Sequence, residues 1–286
     1  MTNAKGSQAR SLWPRQIAAI VKIDLAKTFL AKRGLWIYLL ALAPAVPMLG
    51  HWVFGNPDHP LGNDVQIFAG IFQFFYLRVA IFFGCVGIFM NLFRGEMLDK
   101  SLHYYLLGPI RREVLVAGKF LSGLVASITI FSLSVVFQWF AMFAHYSPQL
   151  MNSYMFSGPG LSHLMSYILA AALACIGYGS VFLWAGVRYR NPLIPGALIL
   201  VWEGLNGVLP SLLKKFSIIY WLKSVCPVSI PAPHETNNNV WSLLIFDIDP
   251  APAGVAIVNL LLLAAFVLIW AAIRARRVEI AYGAAD

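Results

Sequence analysis

Six apolar blocks dominate the chain: Gly34 to Phe54, Ile67 to Phe93, Phe120 to Ala144, Leu161 to Val187, Pro192 to Pro210 and Gly254 to Ile273. Each is close to or above the roughly 20 helical residues, at about 1.5 Å apiece, that cross a bilayer. Hydrophobic residues make up 59% of the chain and charged residues 12%, against roughly 45–50% and about 25% in a soluble domain. The expected fold is an all-α membrane protein with six transmembrane helices. With 286 residues, little remains for a separate soluble domain.

The organisation that follows is a cytoplasmic N-terminus (1–33), a six-span domain (34–273) and a cytoplasmic tail (274–286). Within the domain lie a cytoplasmic loop (94–119) and an outer segment (211–253). Orientation rests on Lys and Arg, which stay on the cytoplasmic side during insertion. Of the 21 basic residues, all but Arg78, Lys214, Lys215 and Lys223 fall before the first span, between spans two and three or four and five, or after the sixth. Both termini are therefore expected in the cytoplasm. The net charge of +9 is then accounted for by topology and by adhesion to anionic lipid headgroups, so nucleic acid is not expected as a partner.

Trp36, Trp52, Trp139, Trp184 and Trp270 sit at the ends of their spans, where amphipathic rings meet headgroups. The first 33 residues are polar and basic with no apolar h-region, so no cleavable signal is expected and the first span serves for insertion. Cys85 and Cys175 lie within spans and Cys226 outside, which suggests no pair.

Before the first span, Trp13, Ile17, Val21, Leu25 and Phe29 recur every fourth residue, with Arg15 and Lys22 on the other side. This predicts an amphipathic helix on the inner membrane face. Asp24 interrupts its apolar side and is expected to pair locally with Lys27. In the loop after the second span, Met97, Leu98, Leu102, Tyr105 and Leu106 have helical spacing until Gly108-Pro109, where proline removes a donor and restricts its neighbour. A short helix ended by Pro109 is predicted.

These residues resemble the membrane subunits of type-2 ATP-binding-cassette exporters. That pattern has an acidic residue after the second span, a short helix ending in Leu-Leu, then Pro, Arg and a Gly-Lys opening the third span. Glu96, Leu106-Leu107, Pro109, Arg112 and Gly118-Lys119 stand at those places, with Leu102 among the apolar residues of the short helix. The resemblance extends over nearly the whole chain, to the entry helix, the six spans and the terminal Arg274, Arg276, Arg277 and Glu279. It implies that the loop helix docks into a separate ATPase subunit, that two permease copies form the path, and that the membrane is a prokaryotic plasma membrane.

The ATPase is not expected in this chain. A phosphate-binding loop needs GxxxxGK followed by Ser or Thr, whereas Gly118-Lys119 has Glu113 at the position of the first glycine and Phe120 after the lysine. ATP and Mg would be bound by the partner, and no cofactor is expected here.

In the second span Gln66, Gly70, Gln73, Leu77, Ala80, Gly84, Gly87 and Asn91 form a small and polar stripe suited to close helix packing. Arg78 lies on another side of that helix. In the fifth span Gly196, Glu203, Asn206, Gly207 and Pro210 share a face. An intramembrane charge costs about 2.5–3.5 kcal/mol on insertion scales and needs a partner or water. Arg78 and Glu203, at compatible depths, are expected to form an ion pair or, with Gln73 and Asn206, to line the export path.

Ser211 to Val225 is too short and too charged to cross. The resemblance makes it the re-entrant segment closing the exit, and an amphipathic helix on the outer leaflet is the other reading. His51, His59, His145, His163 and His234 all fall on the outer side, near Met142, Met151 and Met155. None of their spacings is a ligand motif, so interfacial polar residues are expected and no metal site. Two rivals come from other classes. One is an intramembrane enzyme using Ser180, which lacks a nucleophile elbow and a mid-span histidine; the other is a membrane anchor for an ATPase that transports nothing.

Overall fold

The computed structural model describes residues 2–30, 34–54, 60–98, 107, 110–189, 191, 193–207, 209–230 and 251–276. Among them there is no strand. Four helices are long and apolar enough to cross a membrane: α4 (Leu61–Met97), α5 (Arg112–Phe143), α7 (Gly160–Arg188) and α11 (Ala253–Ala275). The bent pair α2 (Leu35–Leu42) and α3 (Ala45–Phe54) makes a fifth when counted together. Among the described residues the other α-helices are α1 (Thr2–Leu30), α6 (Pro148–Asn152), α8 (Leu193–Gly204), α9 (Ser211–Lys214) and α10 (Ile218–Val225).

The bend between α2 and α3 is 40°, and Pro44 in the break explains it by removing a backbone donor. The carbonyl of Ala41 is then served from α5: Ser134 Oγ donates to it at 2.6 Å and Gln138 Nε2 at 2.9 Å. Such repair by a neighbouring helix is what lets proline persist inside hydrocarbon.

The fifth expected span is the element that differs most. Helix α8 stops at Gly204 after 12 residues, about 18 Å at helical rise against a hydrocarbon core of about 30 Å. The chain turns through a 3₁₀ segment, Leu205–Gly207, and reaches Pro210 before α9. Helix α10 then packs its Ile219 and Leu222 in the core, beside α7 and α11.

Stretches of α4 wind with the wider i→i+5 pattern, at Phe72–Ile81 and Val86–Met90. More residues per turn rotate the face that the stripe presents. Gly84 accordingly meets the Phe131 ring and Gly87 the Trp36 ring, so closely that a Cβ at either would collide, while Gln66 and Asn91 at the stripe's ends are exposed. The core is aromatic: Phe68, Phe72, Trp139 and Tyr167 pack with ring centroids 4.6–6.3 Å apart. Trp139, expected at a headgroup, is fully buried instead, because its ring fills the gap between α4 and α7. On α11 the buried residues are Ala256, Leu260, Ala264, Ala271 and Ala275, a mostly small seam against α7. Its large residues such as Leu262 and Phe266 face outward, as a lipid-facing surface does.

Candidate functional site

One end of the bundle gathers residues from the two ends of the 94–119 stretch, where Glu96 belongs to the last turn of α4 and Arg112 to Lys119 to the first turns of α5. Helix α1 runs along the first half of α5, with Ile20 against Gly118. One turn further, Asp24 meets Lys119 rather than its neighbour Lys27. Lys119 Nζ lies 3.2 Å from Asp24 Oδ2 and 2.8 Å from Glu96 Oε2, and is fully buried. Lys27 Nζ is 3.4 Å from Glu96 Oε1, and Ser122 Oγ donates to Asp24 Oδ2 at 3.4 Å. The local pairing expected for Asp24 is corrected: the α1–α5 contact excludes water from Asp24, and a buried carboxylate requires a buried cation.

This cluster ties α1 to the end of α4 and to the start of α5, the two helices that flank the loop. Arg112 donates from Nη1 to the carbonyl oxygens of Ala275 at 3.2 Å and Arg276 at 2.8 Å, a cation at the C-terminus of α11. Glu113 forms an ion pair with Arg276. Its own backbone amide and Arg276 hold the Glu113 carboxyl below the ordinary carboxylate range against the opposing effect of burial. Between these anchors Leu107 is 81% exposed. Leu102, Leu106 and Pro109, and most of the predicted short helix, lie outside the described residues.

The polar residues of the second and fifth blocks converge on the turn after α8. Glu203 Oε2 accepts from Ser217 Oγ at 2.7 Å and from the Ile219 amide at 3.0 Å, and Oε1 accepts from the Ile218 amide at 2.9 Å. A carboxylate on the first amides of α10 satisfies donors that a helix start leaves open. Tyr178 OH donates to the same carboxylate at 3.4 Å. Gln73 Nε2 donates to the Val228 carbonyl at 2.7 Å, and Asn206 Nδ2 to the Lys214 carbonyl at 3.2 Å. Glu203 and Gln73, two of the four residues expected in the path or ion pair, thus hold the segment 205–228 against the bundle, and Asn206 braces the turn from within that segment.

Arg78 lies near enough to Glu203 for their charges to interact, yet among the described ion pairs none joins them, and Arg78 Nε is buried without a hydrogen bond. Burial, reinforced by Arg78, lowers the Lys223 ammonium to about 8. Ser180 donates to the Gly177 carbonyl of its own helix at 2.8 Å. Lys223 and Asp24 are the site residues that sequence reasoning did not single out for these roles. Their partners are far away in the chain, and the only signal was a charge on an otherwise apolar helix face.

No family model matches the chain, and no curated protein matches it.

Proposed function

We propose that the chain is the membrane subunit of a type-2 ATP-binding-cassette exporter, forming the path as a dimer and driven by a separate ATPase that binds ATP and Mg. In this reading the chain crosses a prokaryotic plasma membrane six times with both termini in the cytoplasm, α8 and the turn after it making the fifth crossing. The observation that carries it is the buried cluster of Asp24, Glu96 and Lys119. A loop that only connected two spans would not need its roots clamped to the entry helix. A loop that must pass a push from a soluble ATPase to α4 and α5 does, because displacement at Leu107 reaches the helices only if the roots are stiff.

The segment held by Glu203 and Gln73, and braced internally by Asn206, supplies the other half of the reading. Placed between α8 and α11 at the far end from the clamp, it closes the path until α4 and α8 move. Membrane insertion with lipid as the only partner would not account for this.

The test is co-purification. The double substitution Leu106→Asp and Leu107→Asp puts two charges into the apolar contact with the ATPase and is expected to abolish its co-purification with the folded permease. Retention of the ATPase by the double variant would place the contact elsewhere and remove the coupling role of the loop.

A further inference from the structure

At the end of the bundle opposite the Lys119 clamp, three ligating side chains meet. Helix α5 spans about 36 Å from Lys119 to Phe143 at its helical rise, and just beyond its end His145 turns back over the core. His51 on α3 and Asp64 in the first turn of α4 complete the group. His51 Nε2 lies 3.0 Å and His145 Nε2 3.3 Å from Asp64 Oδ2, and one ligand atom from each residue falls within 4.8 Å of the others. Asp64 is fully buried.

The hydrogen bonding of His145 decides what the group is for. Its Nδ1 lies 3.1 Å from the Met142 carbonyl oxygen, an acceptor only, so the ring proton resides on Nδ1. That leaves Nε2 as a lone pair, in a side chain 4% exposed, aimed at a carboxylate oxygen with no hydrogen bond between them. A neutral imidazole so placed turns a lone pair toward a carboxylate oxygen 3.3 Å away, an approach that a cation between them relieves. A histidine that donates one nitrogen to a backbone carbonyl and presents the other is the arrangement of metal-bound imidazole. Tyr146 OH, donating to Asp64 at 2.9 Å, orients the carboxylate in the same manner. Tetrahedral ligands at about 2.0–2.1 Å from a zinc ion stand about 3.3 Å from one another, close to the 3.0 and 3.3 Å between each imidazole and the carboxylate.

We propose that His51, Asp64 and His145 form a binding site for a divalent transition metal ion, with zinc as the fitting case: two imidazoles, one carboxylate and a fourth position taken by water. The ion ties α3, α4 and α5 together at this end. This proposal stands apart from the transport reading, since it needs neither an ATPase nor a substrate.

The test uses the full chain in detergent, purified on a tag free of histidine and stripped with chelator. Zinc added at equimolar amount is expected to remain bound one to one after desalting and to raise the thermal midpoint. Cobalt is expected to give the intense visible absorption of a four- or five-coordinate ion. His51→Gln and His145→Gln are each expected to weaken zinc binding by at least about 100-fold, more than the loss of an outer-shell partner, while His163→Gln leaves it unchanged. His51 is partly exposed, so its variant preserves the fold; should it not fold, the cobalt spectrum of the unsubstituted chain carries the decision. Absence of one-to-one zinc and of the cobalt bands, or equal binding by the His51 and His163 variants, overturns the site and leaves a hydrogen-bonded cluster.

Discussion

A buried ammonium between two carboxylates sets the strictest demands of any single residue in this protein. Lys119 is the cation that both Asp24 and Glu96 require. Lys119→Met strands the buried Asp24 carboxylate and leaves Glu96 only the more exposed Lys27, and is expected to cost about 3–5 kcal/mol, as removal of one partner of a buried pair does. Adding Asp24→Asn should recover part of that loss, and thermal unfolding of the variants in detergent measures both effects; an additive double variant would show that the charges do not act together. Lys223 offers the opposite sign. Its folded value near 8 lies below its ordinary 10.5, so the fold opposes the charged form, with full effect below about pH 8 and fading as pH rises to 10.5. Lys223→Met should therefore raise stability at pH 7 by ~1–2 kcal/mol, discounted for partial exposure, with the gain shrinking by pH 10. An equal gain at both pH values would assign it to packing instead of charge.

The short elements after α8 depend on side chains from elsewhere in the bundle. Helix α10 has eight residues, too few to persist alone, and it is held at its start by Glu203, while Gln73 holds the chain just beyond its end. Cys226 lies between these anchors, and burial pushes its thiol up to about 12. In the unsubstituted chain its alkylation should be slow. Gln73→Leu or Glu203→Leu should loosen the segment and speed maleimide labelling of Cys226 by about 10-fold or more, as a shift of about 1.4 kcal/mol in local opening does. A Cys226→Ser background removes the signal and identifies the site. Unchanged labelling would mean that packing of Ile219 and Leu222 alone keeps the segment in place. The same element marks the border of what sequence could reveal. Apolar block length located α4, α5, α7 and α11, and the charge at Glu96 and Lys119 stood out against loop and span. Glu203 looked like a membrane charge in need of a cation because hydropathy cannot show that a helix stops one residue later and folds amides back onto it. Trp139 looked interfacial for a related reason: position along a span does not reveal which face is turned inward. His51, Asp64 and His145 belong to three different helices or their ends, with no spacing to betray them.

Considered whole, the molecule has two unlike ends. Asp24, Glu96 and Lys119 meet at one, where Arg112 also ties the start of α5 to the end of α11. The His51, Asp64 and His145 group stands at the other. The proposed function requires the first end to face the cytoplasm, since the ATPase is soluble and the basic residues collect there. Asn63 and Asn152 are exposed near the histidine end, whereas Lys22 is exposed on α1. Placed one at a time in a background free of Cys85, Cys175 and Cys226, cysteines at Asn63 and Asn152 should react with a membrane-impermeant thiol reagent in intact cells. A cysteine at Lys22 should react only after the membrane is opened. The side chains of all three positions are exposed, so each substitution should change stability by no more than about 0.5 kcal/mol. Labelling of the Lys22 position in intact cells, with protection of the other two, would invert the molecule. The clamp would then face away from any cytoplasmic ATPase, and the coupling role argued for Leu106 and Leu107 would fall with it.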